Sequence, residues 1–580
     1  MIVTQGTEPK PTVRNAERAM LLAILVLAAM LRLHGLNFGL PALNDPDEPV
    51  FIMTAMDMLR EGRLNPGWFG HPATLLFYLL ALIVLLVGAI GAILGAWSSA
   101  DGFVSAVFSD PAILVLPMRG LSALLGVASV ALTWAIGRRI GGARVGLVAA
   151  LLLACNPLHV ELSQVVRTDM LATVLMGWCT YLSLSIAQGG GTRQTLLAGV
   201  AAGLACATKW PALLIVVAPV AGGLFAARDS RAIARALVVA PLVAIATLLL
   251  ASPYLLLDYP TVLRDLGGEA RPMHLGATGH GFAGNLLWYV RVPLAGSFGV
   301  AGLFLAALGT LSVLRDRARA VVLLPASAVI LVALATQSLV WARWIVPLLP
   351  VIAILAAIGL GMAADALRHA TLRRLFLPCA ALLLAGWMAG ITLRAQRQRA
   401  DDPRQAATRW VFAHVPPGQT ILIEHAAFDL LPYRGRLLFP LGSAGCVDIR
   451  SLLHSAPSHG RVNGLRQGRA IVDLGNLDPA ALAGCSADVA ILINYSRYRA
   501  EPVQFAAQLS NYRRLLVTHR LAARFSNGMS GNGGTVEVFL RKRTAPSRPS
   551  HYTKLTKQHY RGGTPAPSRP LFRNSPNIQR

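Results

Sequence analysis

The sequence predicts an α-helical polytopic membrane protein that ends in a small α/β domain. Three observations carry that expectation. Hydrophobic residues make up 54% of the 580, and the mean hydropathy is +0.55. The apolar residues gather in blocks of about 20, the length that crosses a bilayer as a helix. After residue 400 the blocks stop, and short runs of β-like alternation take their place.

In chain order, the blocks lie near 17–36, 73–96, 112–136, 145–158, 168–187, 195–208, 210–227, 236–252, 290–314, 320–336, 344–366 and 375–393. This gives an expected count of about 11–13 transmembrane helices. The first block is long and follows Arg14 and Arg18, so it reads as a retained span rather than a cleaved leader. The chain carries 53 Lys and Arg against 27 Asp and Glu, a net charge of +26. That charge is dispersed among loops instead of lining a groove, which argues against a nucleic-acid partner and for the positive-inside bias.

Short arginine-rich loops mark one side: Arg138/Arg139/Arg144, Arg193, Arg228/Arg231/Arg235, Arg315/Arg317/Arg319 and Arg368/Arg373/Arg374. The loops between them, 156–169, 208–211, 253–289 and 337–343, fall on the opposite, outer side, together with 37–72. This assignment requires an even number of crossings between 73 and about 111, where one clear span is visible; a second crossing within 97–111 would resolve it. Residues 400–543 read as an outer α/β domain, with β-like runs at Thr420–Glu424, Asp488–Asn494 and Thr535–Leu540. Cys446 and Cys485 can pair there if the domain lies outside the cytoplasm. From 544 to 580 the chain is basic, rich in Pro, Ser and Gly, and without an acid, the composition of a disordered tail.

Most spans have no carboxylate at their centre, whereas a proton- or ion-coupled transporter keeps ionisable groups near the midplane. Here such groups collect at the outer ends of helices. The densest cluster is Asp45-Pro46-Asp47-Glu48, which can take a proton from an acceptor or hold a cation. As an ordinary loop it would instead cap the next helix, with Asp47 as the N-cap. His71 precedes Pro72 at the start of the next span. The stretch from His159 and Glu161 to Arg167 and Asp169 forms a polar cluster in which Arg167 suits a phosphate. Lys209, the only lysine of the membrane region, and Arg343, between Trp341 and Trp344, are cations on the outer side, where the positive-inside rule disfavours them. Snorkelling and interface anchoring are the plain alternatives for these cations. Tyr254, Asp258, Glu269, His274 and His280 lie in the Gly-rich loop 253–289, which reads as a mobile flap or an ordinary long loop. The spacing of Glu269, His274 and His280 fits no zinc motif.

Taken in order, these segments resemble the polyprenyl-phosphate-sugar-dependent glycosyltransferases of the GT-C architecture, specifically glycosyltransferase family 39, the protein O-mannosyltransferase and aminoarabinose-transferase group. The resemblance covers roughly 15–395. It rests on Asp47-Glu48, His71-Pro72, Arg119-Gly120-Leu121-Ser122-Ala123-Leu124, Arg167-Thr168-Asp169, Lys209, Ser252-Pro253-Tyr254 and Arg343-Trp344-Ile345-Val346-Pro347. One departure is Ala73, where relatives often have a second proline.

The resemblance implies sugar transfer from a lipid phosphate with inversion, with a first-loop carboxylate as base. Asp47 takes that role, beside Glu48 and with Asp45 as a substitute. Arg167, Lys209 and Arg343 would stabilise the phosphate leaving group. His71, Asp169, Tyr254, His274 and His280 complete the expected substrate-binding set. The resemblance establishes no cofactor: some GT-C enzymes use a divalent cation and others do not, so a divalent cation stays open and the acid cluster alone does not establish one. The expected partners are a polyprenyl-phosphate-linked sugar donor, a protein, lipid or glycan acceptor, and the bilayer.

The expected organisation is a cytoplasmic N-terminus (1–16), a transmembrane glycosyltransferase domain (17–399), the extracytoplasmic domain (400–543) and the tail (544–580), in a bacterial inner membrane. A transporter or flippase of a lipid-linked sugar is the alternative function.

Overall fold

The computed structural model describes residues 11–424, 428–454, 464–465, 473–526 and 534–542. The expected basic tail lies outside them. All the apolar blocks are helical. Among the described residues, eight stretches of helix are long and apolar enough to cross a membrane: Thr74–Ile93, Ala112–Cys155, Thr168–Ala187, Ser230–Ala251, Gly281–Leu314, Arg317–Ala335, Ala342–Asp365 and Ala370–His414. The blocks at 112–136 and 145–158 are two helices within Ala112–Cys155 that part at Gly142, whose non-helical φ of 80° suits a residue without Cβ. Pro11–Leu33 carries Arg14, Glu17, Arg18 and Arg32, and Thr192–Thr208 has 17 residues. Trp210–Val216 is 3₁₀ before the short helix Val217–Ala226. Within 97–111 the only described helix, Ala100–Ser109, has ten residues and cannot cross alone.

Small residues let these helices approach closely. A Cβ on Gly309 or Gly359 would strike the backbone carbonyl of Leu355 or Leu305 on the facing helix, so the 295–314 and 349–365 helices pack backbone to backbone there. The apolar core runs from Ala28 through Leu114, Leu152, Met170 and Val322 to Met388.

The long helix of the last stretch ends at Ala400, and Asp402 then caps Pro403–His414 by accepting the Arg404 amide at 2.8 Å. A six-stranded sheet follows: β1 (Thr420–Ile423), β2 (Arg436–Pro440), β3 (Cys446–Asp448), β4 (Val489–Leu492), β5 (His519–Ser526) and β6 (Thr535–Arg541). Its order is β3-β2-β1-β4-β6-β5, with β1 parallel to both β2 and β4 and the other pairs antiparallel. β1, β2, β4 and β6 contribute to cores on both faces of the sheet, which is why β1 and β4 read as unbroken apolar runs. Cys446 and Cys485 are disulfide-bonded.

This domain grips the loops that lead to the candidate site. Arg404 Nη1 donates to the Asn44 carbonyl at 2.5 Å, and Gln405 Nε2 to that of Leu40 at 3.1 Å. Leu275, from loop 253–289, is buried in the domain's second core, where Arg497 Nη2 donates to its carbonyl at 3.0 Å.

Candidate active site

The first loop ends on a helix, Glu48–Arg60, with Asp47 at the N-cap position and Pro49 within the first turn. Asp47 does not cap it. Asp45 Oδ1 instead accepts the amides of Asp47 at 3.0 Å and Glu48 at 3.3 Å, which leaves the Asp47 side chain available to other groups. The three acids therefore separate into three roles.

Glu48 turns into the core. Its carboxylate receives Arg119 Nε at 2.8 Å, Arg119 Nη2 at 2.6 Å and the Val166 amide at 3.0 Å, and neither side chain of the pair is exposed. Burial pushes the Glu48 carboxyl upward, against the pull of the Arg119 guanidinium. An acid with no exposed surface cannot reach an acceptor. Its expected place among the catalytic acids is therefore corrected: it holds the loop on the helix carrying Arg119.

Asp45 and Asp47 share Arg167. Arg167 Nη2 contacts both Asp45 oxygens at 2.9 Å, and Nη1 lies 3.0 Å from Asp47 Oδ2. The same Asp47 oxygen receives Arg343 Nη1 at 2.5 Å. Asp47 is the most open of the set, with its side chain 37% exposed against 15% for Asp45 and 9% for Arg167. Burial alone would raise its carboxyl, but Arg167 and Arg343 outweigh it and hold Asp47 well below the usual carboxylate range. The Arg167 guanidinium is correspondingly held above its usual value, its two aspartates outweighing burial.

Asp169 and Lys209 form a second, buried pair at 2.6 Å, with side chains 3% and 8% exposed. Asp169 lies within electrostatic reach of Arg167 and Arg343, which joins the two pairs into one cluster. His71 completes it, stacked on Trp68 at 5.7 Å with Phe51 edge-on. Burial, then the neighbouring Arg343 and Lys209, push His71 down to about 3, so its ring is neutral near pH 7. Ala73 holds the turn after it at φ 50° and donates its amide to the Thr208 carbonyl at 3.2 Å, next to Lys209. A proline there could adopt neither that φ nor that bond.

The remaining expected residues divide. His274 is connected: its ring meets Trp341 at 4.8 Å, and Arg343 lies over Trp341 at 5.0 Å. Burial pushes His274 down to about 4. Tyr254 packs beside Phe69, Leu255 and Trp210, outside the charge cluster. His280 is exposed at the N-cap of Gly281–Tyr289, and its amide bonds Asn285. These two are not brought to the cluster. His159 is a core residue, bonded to Arg32 and Ser129 at 2.8 Å each.

The loop expected as a flap is anchored in its middle. Thr278 bridges to Leu339, the Gly279 amide donates to the Ser338 carbonyl at 2.7 Å, and the Val340 amide to that of Ala277 at 2.8 Å. It thus fixes the loop that carries Arg343.

Beside this junction lies a cavity of about 360 Å³, lined by Glu269, Arg271, Gln337, Ser338 and Trp344 among others. Burial raises the Glu269 carboxyl, with Arg271 and Arg343 opposing it. Sequence reasoning left Glu269 out of the site because a lone loop acid carries no motif. Among the described residues no group of three His, Cys, Asp or Glu side chains is placed to hold a metal ion. Asp45 and Asp47 are already engaged by guanidinium groups, so this cluster does not fit a divalent cation.

Comparison with known proteins adds to this geometry. Residues 102–256, about a quarter of the chain, match the family described as dolichyl-phosphate-mannose-protein mannosyltransferase. No curated protein sequence matches the chain. Among solved structures, the apo form of ArnT from Cupriavidus metallidurans matches with a TM-score of 0.53 at 14% identity, covering 91% of this chain and 98% of ArnT. The chain has the GT-C glycosyltransferase fold. A second GT-C structure, the oligosaccharyltransferase AglB from Archaeoglobus fulgidus with an inhibitory peptide and a dolichol-phosphate, matches with a TM-score of 0.50 at 14% identity, covering 91% of this chain and 74% of AglB. Family match and GT-C fold agree on one enzyme class, the lipid-linked-sugar-dependent glycosyltransferases.

Proposed function

We propose that the protein transfers a sugar from a polyprenyl-phosphate donor to an acceptor hydroxyl at the extracytoplasmic membrane face, with inversion and with Asp47 as base. The observation that carries this reading is Asp47 itself, a partly exposed carboxylate paired with Arg343 beside a cavity of about 360 Å³. That volume lies in the range of small-molecule sites. Trp344 offers an aromatic face, and Glu269, Arg271, Gln337 and Ser338 offer hydrogen-bonding partners for a sugar ring.

In the reaction the acceptor hydroxyl gives its proton to Asp47 as its oxygen attacks the anomeric carbon. The bond from that carbon to the phosphate oxygen breaks on the opposite face, and negative charge develops on the leaving phosphate. Cations already positioned at the site stabilise that charge without reorganisation. His71, neutral and aromatic-stacked, gives the site a polar edge without another charge. The Cys446–Cys485 disulfide supports an oxidising compartment for the C-terminal domain, and hence the extracytoplasmic placement.

The test is sugar release from a panel of labelled polyprenyl-phosphate-sugars by the purified protein, wild type beside Asp47→Asn. Turnover in the wild type that the variant loses supports donor class and base together. Turnover kept by the variant removes Asp47 as the base. Donor binding without turnover favours a flippase.

A further inference from the structure

We propose that Arg343 is exchanged between Asp47 and the phosphate of the donor, so that the base stays masked until the donor binds. This rests on the function proposed above and assigns one of its cations a specific task. Three cations are present, and they are not equivalent. Lys209 is buried against Asp169 at 2.6 Å, and Arg167 binds two aspartates with its side chain 9% exposed. Arg343 is 20% exposed and contacts Asp47 through Nη1 alone; none of its other N–H groups bonds a described residue. Its guanidinium rests on the Trp341 face at 5.0 Å, a contact that tolerates sliding.

The charges point the same way. Asp45, Asp47 and Asp169 face Arg167, Lys209 and Arg343, so the cluster is neutral before a donor arrives. His71, His274, Glu269 and Arg271 also lie around it. A donor phosphodiester brings one negative charge and must draw a cation from a carboxylate. Asp47 is the most exposed of the three, and Arg343 is the cation that can turn outward.

Asp47 then regains basicity when the sugar to be transferred is in place. During transfer the acceptor proton arrives on Asp47, while the electron pair of the broken glycosidic bond stays on the phosphate, which becomes a dianion. Negative charge leaves Asp47 and appears on the phosphate, total charge is unchanged, and Arg343 follows it.

The experiment measures affinity for a polyprenyl phosphate in detergent micelles at fixed pH. It uses full-length wild type, D47N, R343Q and the double variant. Exchange predicts that D47N binds about tenfold more tightly, as expected when a competitor for one group is removed, and that this gain disappears without Arg343. A D47N protein with no gain overturns the exchange. So does an equal gain in both backgrounds, which would reflect only the field of the lost charge. If R343Q does not fold, R343K replaces it: lysine lacks the guanidinium fork, so the D47N gain should shrink, and an undiminished gain overturns the proposal. Wild type that binds no lipid phosphate removes the donor reading and the exchange with it. Binding without coupling removes the exchange alone.

Discussion

Glu48 and Arg119 close on each other as a two-pronged ion pair, at 2.6 and 2.8 Å, with neither side chain exposed. Arg119 Nη1 also donates to the carbonyls of Leu36 and Phe38 at 2.7 and 2.8 Å. One buried guanidinium thus fixes both flanks of the loop bearing Asp45 and Asp47. Breaking such a pair leaves an uncompensated buried charge, at a cost of about 3–5 kcal/mol. Arg119→Met and Glu48→Gln are therefore both expected to lower the thermal midpoint of the detergent-solubilised protein sharply, the second because it leaves the Arg119 charge buried without its counter-charge and replaces one accepting oxygen by an amide NH2. An Arg119→Met protein as stable as wild type would show that the pair does not organise the loop.

The two aspartates of the tetrad should fail in different ways. Asp45 caps the helix and binds Arg167, so Asp45→Asn is expected to reduce stability by about 0.5–2 kcal/mol, with a moderate loss of turnover. Asp47 makes no capping bond, so Asp47→Asn should leave the melting midpoint within a few degrees and reduce turnover by about 10²–10⁴-fold. Paired thermal scans and single-turnover rates check this, and reversed behaviour would exchange the two roles.

Part of this was legible in the chain and part was not. Apolar blocks gave every long helix, because span length and composition are local properties. They also separate 112–136 from 145–158, and the two helices part between those blocks at Gly142, whose φ of 80° is not helical. In the C-terminal domain β1, β4 and β6 were visible as β-rich runs, whereas β5, His-Arg-Leu-Ala-Ala-Arg-Phe-Ser, is a polar edge strand with little pattern. The cluster's members were visible as unusual charges on the outer loops. Their pairing was not, because Asp47 and Arg343 are separated by 296 residues. Nothing in the tetrad alone says that Glu48 turns inward.

Ala73 offers a backbone test. Its φ of 50° and its amide bond to Thr208 are both denied to proline. Ala73→Pro is expected to cost about 3 kcal/mol or more and to disturb His71 and Lys209, while Ala73→Gly should be neutral or stabilising by up to about 1 kcal/mol. Thermal midpoints of the two variants, measured side by side, decide it; a proline variant as stable as the glycine one would show that the turn adopts another conformation.

The pH dependence of stability follows from His71. Its folded-state value, about 3, lies below the ordinary 6.5, so the unfolded chain binds the proton first. Its contribution is therefore complete above about pH 6.5 and declines as pH falls toward 3, with a slope of at most about 1.4 kcal/mol per unit. His274, held at about 4, adds a loss of the same sign over the upper part of that window. The contribution of Asp47 is complete above the normal carboxylate range and is lost only as pH falls through and below it, since its carboxyl is depressed. Between pH 6.5 and 4.5 the wild-type midpoint should thus fall with acid, and His71→Asn should flatten the curve. Parallel curves for wild type and His71→Asn would mean that the ring takes up a proton in the folded state as readily as in the unfolded chain, and the neutral imidazole beside Arg343 would have to be abandoned.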